Sequence, residues 1–189
     1  MNSHINSYRH NLINALNSPA MECVYSLAHV LQDAWSTEKS VYFCGNGGSA
    51  GNAIHLANDF IYGVGKNYGK GFKVEALSSN PAVLTCLAND IGYDQIYSEQ
   101  IRVKGKPNDV LIVFSGSGKS PNIIKALEMG NELGLKTCAI LGFDGGKAKN
   151  IAQLAIHFPV QDMQISEDLQ LIVGHMCMQW LCANYPQGK

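Results

Sequence analysis

Five short apolar runs recur along the chain: VYFC at 41–44, FKVEAL at 72–77, VLIVFS at 110–115, TCAILG at 137–142 and LAIHFP at 154–159. Short runs of this kind, bounded by Gly, Ser, Asn or Pro, read as buried strands. Longer helical patterns separate them, starting near Ser49, Pro81, Tyr93, Ser120 and Lys147, and a closing helix runs from about Ser166 to Ala183. Parallel strands need long crossovers, usually helices, which then cover both faces of the sheet. The alternation therefore predicts a three-layer, doubly wound α/β fold on a five-stranded parallel sheet. Ahead of the first run, apolar residues at helical spacing from Ile5 to Trp35, broken at Asn17-Ser18-Pro19, predict two opening helices as an extension over 1–36. No linker, repeat or low-complexity tract divides the chain, so one domain over 1–189 is expected.

Composition narrows the partners. With 14 basic and 15 acidic residues, a net charge of -1 and no block of either sign, the chain has no reason to carry a polyanion-binding surface, so nucleic acid is not an expected partner. Cys23, Cys44, Cys86, Cys138, Cys177 and Cys182 form no C-x-x-C pair, and four of the six lie in apolar runs, where a reduced, buried thiol is the usual occupant. The N-terminal MNSHINSYRHNL lacks an apolar signal core, and no stretch approaches the ~20 apolar residues that span a bilayer. A cytoplasmic protein without membrane association is expected.

In a doubly wound sheet, ligands bind beyond the carboxyl ends of the strands. The loops at those ends are GNGGSAG after the first run, SSN after the second and SGSGKS after the third. Glycines let backbone N–H groups approach a ligand, a helix N-terminus adds partial positive charge, and serine hydroxyls donate to anions. Two familiar nucleotide signatures fail here. Gly45-x-Gly47-x-x-Ala50 resembles a dinucleotide fingerprint, but the acidic partner expected about 20 positions on has no match, Glu75 coming too late. Gly118-Lys119-Ser120 imitates the end of a phosphate-binding P-loop, yet the glycine required five positions earlier is Val113. What remains is a site for a small phosphate, with Ser115, Ser117 and Ser120 grouped around Gly116 and Gly118. The plainer reading makes Ser49, Asn80 and Ser120 helix N-caps and Lys119 a solvated surface lysine.

His55 and Asp59, four apart in the helix after the glycine loop, share a face at ligand spacing for a divalent metal. In the last helix Glu167 and His175 are eight apart, about 80° around the axis and two turns along. Two imidazoles and two carboxylates suit zinc or a similar transition ion. The competing reading keeps His175 as a core histidine and Asp59 as an ordinary helix partner. His4, His10, His29 and His157 have structural or surface roles as their expected ones.

The motifs CGNGGSAGNAIHLANDF, LANDIGYDQIYSEQI, FSGSGKS, ILGFDGGK and SEDLQLIVGH together make nearly the whole chain similar to the sugar isomerase (SIS) domain family, which has a flavodoxin-like fold. Within it, the chain resembles the phosphoheptose isomerases. The resemblance implies that Asn46, Gly47, Gly48 and Ser49 contact substrate, that Asn89 and Asp90 bind sugar hydroxyls, and that Ser115, Gly116, Ser117 and Ser120 hold the phosphate. It implies one zinc ion per subunit on His55, Asp59, Glu167 and His175, with Asp59 and His175 as the first candidates for proton transfer and Glu167 next. Four positions depart from the usual family pattern: Asp59 replaces glutamate, Glu167 replaces glutamine, Gly116 replaces a hydroxyl residue and Lys119 replaces asparagine.

The implied activity is a metal-dependent aldose–ketose isomerisation of D-sedoheptulose 7-phosphate to D-glycero-D-manno-heptose 7-phosphate. This is the first step toward ADP- or GDP-heptose precursors of lipopolysaccharide or capsule. It needs no nucleotide or redox cofactor. A homotetramer is implied as well, with the opening helices packed on another subunit. Two alternatives stay open: an isomerase of another phosphosugar, and a non-catalytic SIS-domain binder of the replication-initiator regulator type. The presence of two histidines and two carboxylates at the four matching positions favours catalysis.

Overall fold

The computed structural model describes residues 2–66 and 69–184. Five parallel strands form its centre: β1 (Ser40–Gly45), β2 (Lys73–Ala76), β3 (Val110–Ser115), β4 (Lys136–Leu141) and β5 (Leu154–His157), in the order β2-β1-β3-β4-β5. That is the flavodoxin-like order, and it confirms the doubly wound parallel sheet expected from the alternating runs. Side chains alternate across it as the pleat requires. Val41, Phe43, Val110, Ile112, Phe114, Cys138 and Ile140 enter one buried cluster, whereas Tyr42, Cys44, Leu111, Val113, Ala139 and Leu141 enter another. Both faces of β1, β3 and β4 are thus covered, which is why those strands read as unbroken apolar runs. The edge strands β2 and β5 are only partly buried, and they are also the shortest.

The helices are α1 (Asn2–Leu16), α2 (Glu22–Ser36), α3 (Gly48–Asn58), α4 (Pro81–Asp90), α5 (Ser98–Lys104), α6 (Pro121–Glu132), α7 (Ala148–Ile151) and α8 (Met163–Ala183). A short turn, Pro19–Met21, separates the first two at the predicted break. The last helix starts three residues before its expected Ser166, because Asp162 caps it by accepting from the Ile165 N–H. The helical pattern near Tyr93 resolves into a single tight turn, Tyr93–Gln95, followed by α5.

The opening helices differ from expectation in one respect. Leu27, Ala28 and Leu31 of α2 are buried in the same cluster as β1 and β3, so the main apolar stripe of α2 serves its own sheet. Apolar surface does remain outside it: Ile5, Ile13 and Tyr25 are exposed. Tyr8 of α1 donates to Asp168 of α8, and its phenol is pushed up to about 12, chiefly by burial and then by that carboxylate. His157 bonds the Phe143 carbonyl at 3.0 Å and His29 packs edge-on against Trp180, the structural roles expected of them.

Cys44, Cys138 and Cys177 are buried, and burial pushes all three thiols up, the latter two to about 12. Cys86 is exposed. Thiolate is the nucleophilic form, so iodoacetamide at pH 8 should modify Cys86 in the native protein and leave these three intact until denaturant is added. Peptide mass spectrometry over a time course reads the order, and early modification of Cys138 or Cys177 would contradict this packing.

Candidate active site between two loops and two helices

Because β1 lies between β2 and β3, the connections leaving the carboxyl ends of β1 and β3 diverge to opposite faces of the sheet and leave a crevice between them. There the structure forms a cleft of about 280 Å³ lined by Asn46, Gly47, Gly48, Ser49, Phe114, Ser115, Gly116, Ser117, Ser120, Met163 and Glu167. The N-termini of α3 and α6 both begin at it, each contributing partial positive charge.

The serine loop is shaped for an anion. Ser115 Oγ accepts from the Gly118 N–H at 3.0 Å and Ser117 Oγ from the Lys119 N–H at 3.3 Å. Each hydroxyl therefore uses a lone pair internally, and its single proton stays available for a ligand oxygen. Ser120 occupies the N-cap position of α6 but makes no capping bond from its side chain. Asn80 behaves in the opposite way, accepting from the Ala82 and Val83 N–H groups as a plain cap. The loop is braced from behind by the Gly142–Lys147 segment. Gly118 has φ +64°, and a Cβ there would stand 2.0 Å from the Gly145 carbonyl oxygen, so only glycine fits. Lys119 pairs with Asp144 at 2.7 Å, both exposed, and the ammonium holds the Asp144 carboxyl below its usual range. Its charge is thus directed to the bracing loop, as expected of a surface lysine.

A second cluster lies along α3. His55 Nε2 and His175 Nε2 are 3.0 Å apart, and Asp59 Oδ2 is 3.4 Å from the first and 3.3 Å from the second. Two bonds of about 2.0–2.1 Å at the tetrahedral angle hold their donor atoms about 3.3 Å apart, so this triangle has the dimensions of one face of a tetrahedral zinc shell. Two imidazole nitrogens aimed at each other also repel unless a proton or a cation lies between them. The donor set and its spacing therefore fit a divalent transition ion. Asp59 opens a π-helical turn, Asp59–Gly63, in which Val64 N–H bonds the Asp59 carbonyl, and such widenings recur at functional sites.

Close helix packing makes the cluster. Gly174 immediately precedes His175, and a Cβ on it would lie 2.5 Å from Leu56 Cδ2, next to His55. Asn52 adds two bonds of 2.9 Å from its amide, to the Glu167 carbonyl and to Gln170 Oε1, tying α3 to α8 a turn or two nearer the cleft. Glu167 itself does not join the three ligand atoms. Its carboxylate lies over Gly48 on the cleft wall, where a Cβ on Gly48 would come within 2.5 Å of both oxygens. Eight residues of helix separate it from His175, a rise of about 12 Å.

The other sequence-derived residues divide similarly. Asn46, Gly47, Gly48, Ser49, Ser115, Gly116, Ser117 and Ser120 all line the cleft. Asn89 and Asp90 are exposed at the end of α4, bonded to each other at 2.8 Å, and are not among the cleft-lining residues. Sequence reasoning missed Met163, whose Sδ would be 2.6 Å from a Cβ on Gly116, and Asn122, which pairs with Asn46. Both contacts join segments distant in sequence.

The SIS domain model matches residues 6–142. A phosphoheptose isomerase from Helicobacter pylori is 36% identical over 148 residues, 78% of this chain and 77% of that protein. The chain belongs to the phosphoheptose isomerase family. A phosphoheptose isomerase from Chlorobaculum parvum is 34% identical over 160 residues, covering 84% of this chain and 77% of its own length. The structure of the phosphoheptose isomerase from Neisseria gonorrhoeae superposes with a TM-score of 0.88 at 25% identity, covering 96% of each chain. The protein is accordingly an enzyme of the aldose–ketose isomerase class, built on the SIS fold.

Within this isomerase, the approach of α3 to α8 decides whether His55 and His175 meet. Gly174→Val should cost about 1–3 kcal/mol through overpacking and lower the affinity for added zinc about tenfold or more, by separating the three residues that could hold it. Thermal melts and chelator-competition titrations read the two effects. Wild-type zinc affinity in the variant would contradict the role given to this contact.

Proposed function

We propose that the protein interconverts D-sedoheptulose 7-phosphate and D-glycero-D-manno-heptose 7-phosphate, with the phosphate in the serine-lined cleft and the reacting carbons beside His55, Asp59 and His175. One observation carries this reading: a serine- and glycine-lined cleft and a three-residue cluster that could hold a metal are joined by one helix, α3. From Gly48 to His55 that helix rises over seven residues, about 10 Å, roughly the reach of an extended seven-carbon sugar phosphate.

Isomerisation moves a proton from C1 of the ketose to C2 of the aldose through an enediolate. It is redox-neutral within the substrate, so it calls for an acid and a base rather than a redox or nucleotide cofactor. In this reading Asp59 and His175 exchange the protons between the two carbons and their oxygens, and His55 helps hold them in register. A divalent ion held by His55, Asp59 and His175, zinc by the chemistry of the donors, would polarise the carbonyl as a Lewis acid. Glu167, over Gly48, is given the role of receiving sugar hydroxyls along the cleft and serves as the second candidate base. Ser115, Ser117, Ser120, the backbone of Gly47, Gly48 and Gly116, and the N-termini of α3 and α6 anchor the phosphate, so that binding energy far from the chemistry orients the reacting end. Asn89 and Asp90, exposed at the end of α4, are assigned to sugar hydroxyls in the assembled enzyme.

The same reading takes the chain as one SIS domain over 1–189 with its helical extension 1–36, acting in the cytoplasm as a homotetramer at the head of heptose precursor synthesis for lipopolysaccharide or capsule. An apolar groove of about 340 Å³ between α2 and α8, lined by Met21, Val24, Tyr25, Ala28, Met176, Cys177 and Trp180, supports a subunit contact beside His175. Among the described residues no helix is long and apolar enough to cross a membrane. The intact triad weighs against a purely binding role.

Purified protein should contain about one zinc per chain, lose turnover of sedoheptulose 7-phosphate on chelation and regain it with zinc. In the same assay Asp59→Asn should lower kcat by about 10³-fold and Glu167→Gln by about tenfold, typical losses for a principal and an auxiliary proton-transfer group. The reverse order would move the base role to Glu167. No turnover with zinc restored would reject the substrate.

A further inference from the structure

Asn46 lines the cleft with an unusually constrained amide. Its Nδ2 donates to Asn122 Oδ1 at 2.9 Å, and its Oδ1 accepts from Asn122 Nδ2 at 2.8 Å and from the Tyr93 hydroxyl at 3.1 Å. A primary amide has two lone pairs and two N–H groups. Both lone pairs and one N–H are therefore engaged, and among the described residues the second N–H has no partner. Asn122 is 1% exposed on the second residue of α6, so its half of the pair is fixed by burial. The Tyr93 turn is held to the same helix by the ion pair between Asp94 and Lys125, which also holds the Asp94 carboxyl below its usual range.

We propose that Asn122 and Tyr93 are positioning residues that convert Asn46 into a hydrogen-bond donor of fixed orientation, reserved for an oxygen of the bound sugar phosphate. A free asparagine can rotate its amide and offer either edge to a ligand. Here the acceptor edge is consumed, and rotation would break three bonds and leave a buried Asn122 amide unpaired. The cleft therefore offers N–H and O–H donors along the side formed by the β1 and β3 loops, facing the acceptor Glu167 on α8. Such a division suits a ligand whose oxygens accept at the phosphate-bearing end and whose hydroxyls donate further along. This inference deepens the proposed function and rests on its sugar phosphate site.

The test is a double-mutant cycle on the full-length protein, read as the calorimetric Kd for sedoheptulose 7-phosphate, so that it does not depend on turnover. Asn46→Ala should weaken binding about tenfold, Asn122→Ala nearly as much, and the double variant no more than Asn46→Ala alone, since both remove the same donor. Tyr93→Phe, at an exposed position where folding is not at stake, should weaken binding about threefold in the wild type and not at all in Asn46→Ala. Initial rates should show the same pattern in kcat/KM. Additive losses, or a Tyr93→Phe effect that persists without Asn46, would overturn the positioning role while leaving the proposed substrate intact. Failure of the wild type to bind the sugar phosphate would overturn both.

Discussion

The contact between Gly174 of α8 and Leu56 of α3 is the constraint on which the rest of the site depends. Hydrogen in place of a side chain at Gly174 lets the helices approach until Leu56 fills the gap, and the residues beside that contact, His55 and His175, are brought within 3.0 Å of each other. Neither helix could form the cluster alone: α3 supplies His55 and, at its end, Asp59, and α8 supplies His175. Asn52, bonded to the Glu167 carbonyl and to Gln170, fixes the same pair of helices nearer the cleft. Packing of one helix pair thus sets the geometry of the two imidazoles and Asp59 at one level and of the Glu167 carboxylate at another.

The sheet sets the remaining coordinate. Its strand order diverges at β1 and β3, and the crevice produced there places the N-termini of α3 and α6 side by side. Helix α3 starts at that crevice and reaches His55 about two turns later, so it sets the distance between the cleft and the His55, Asp59 and His175 cluster. The bracing loop with Gly145 and Asp144 keeps the serine turn in shape without adding charge to the cleft. Donors line one side of the cleft, and Glu167 supplies an acceptor on the other.

Much of this was legible in the sequence, for reasons that particular residues make plain. The central strands are buried on both faces, so VLIVFS announced β3 without error, whereas the edge strands β2 and β5 are shorter than their apolar runs. His55 and Asp59 could be paired from helical spacing because local geometry alone brings them together. His175 could join them only through tertiary packing, and the family resemblance carried that step. Spacing on the last helix and the resemblance both grouped Glu167 with them, but two turns of helix hold it over Gly48 instead. Asn122 was invisible beforehand because its partner is 76 residues away and its pattern, directly after a helix-starting proline, is that of any first turn. The serines were ambiguous between cap and ligand until the backbone showed Asn80 capping and Ser120 not.

In the proposed function, the cleft and the His55, Asp59 and His175 cluster together catalyse isomerisation through an enediolate. Turnover of sedoheptulose 7-phosphate in D₂O, followed by NMR, examines it directly. The product should be an aldose 7-phosphate carrying solvent deuterium at C2, because in the proposed reaction the proton removed from C1 passes through Asp59 or His175, partly exposed groups that exchange with water. An aldose product formed with its C2 hydrogen wholly derived from substrate would contradict that exchange with water and point to a transfer shielded from solvent, direct hydride transfer included.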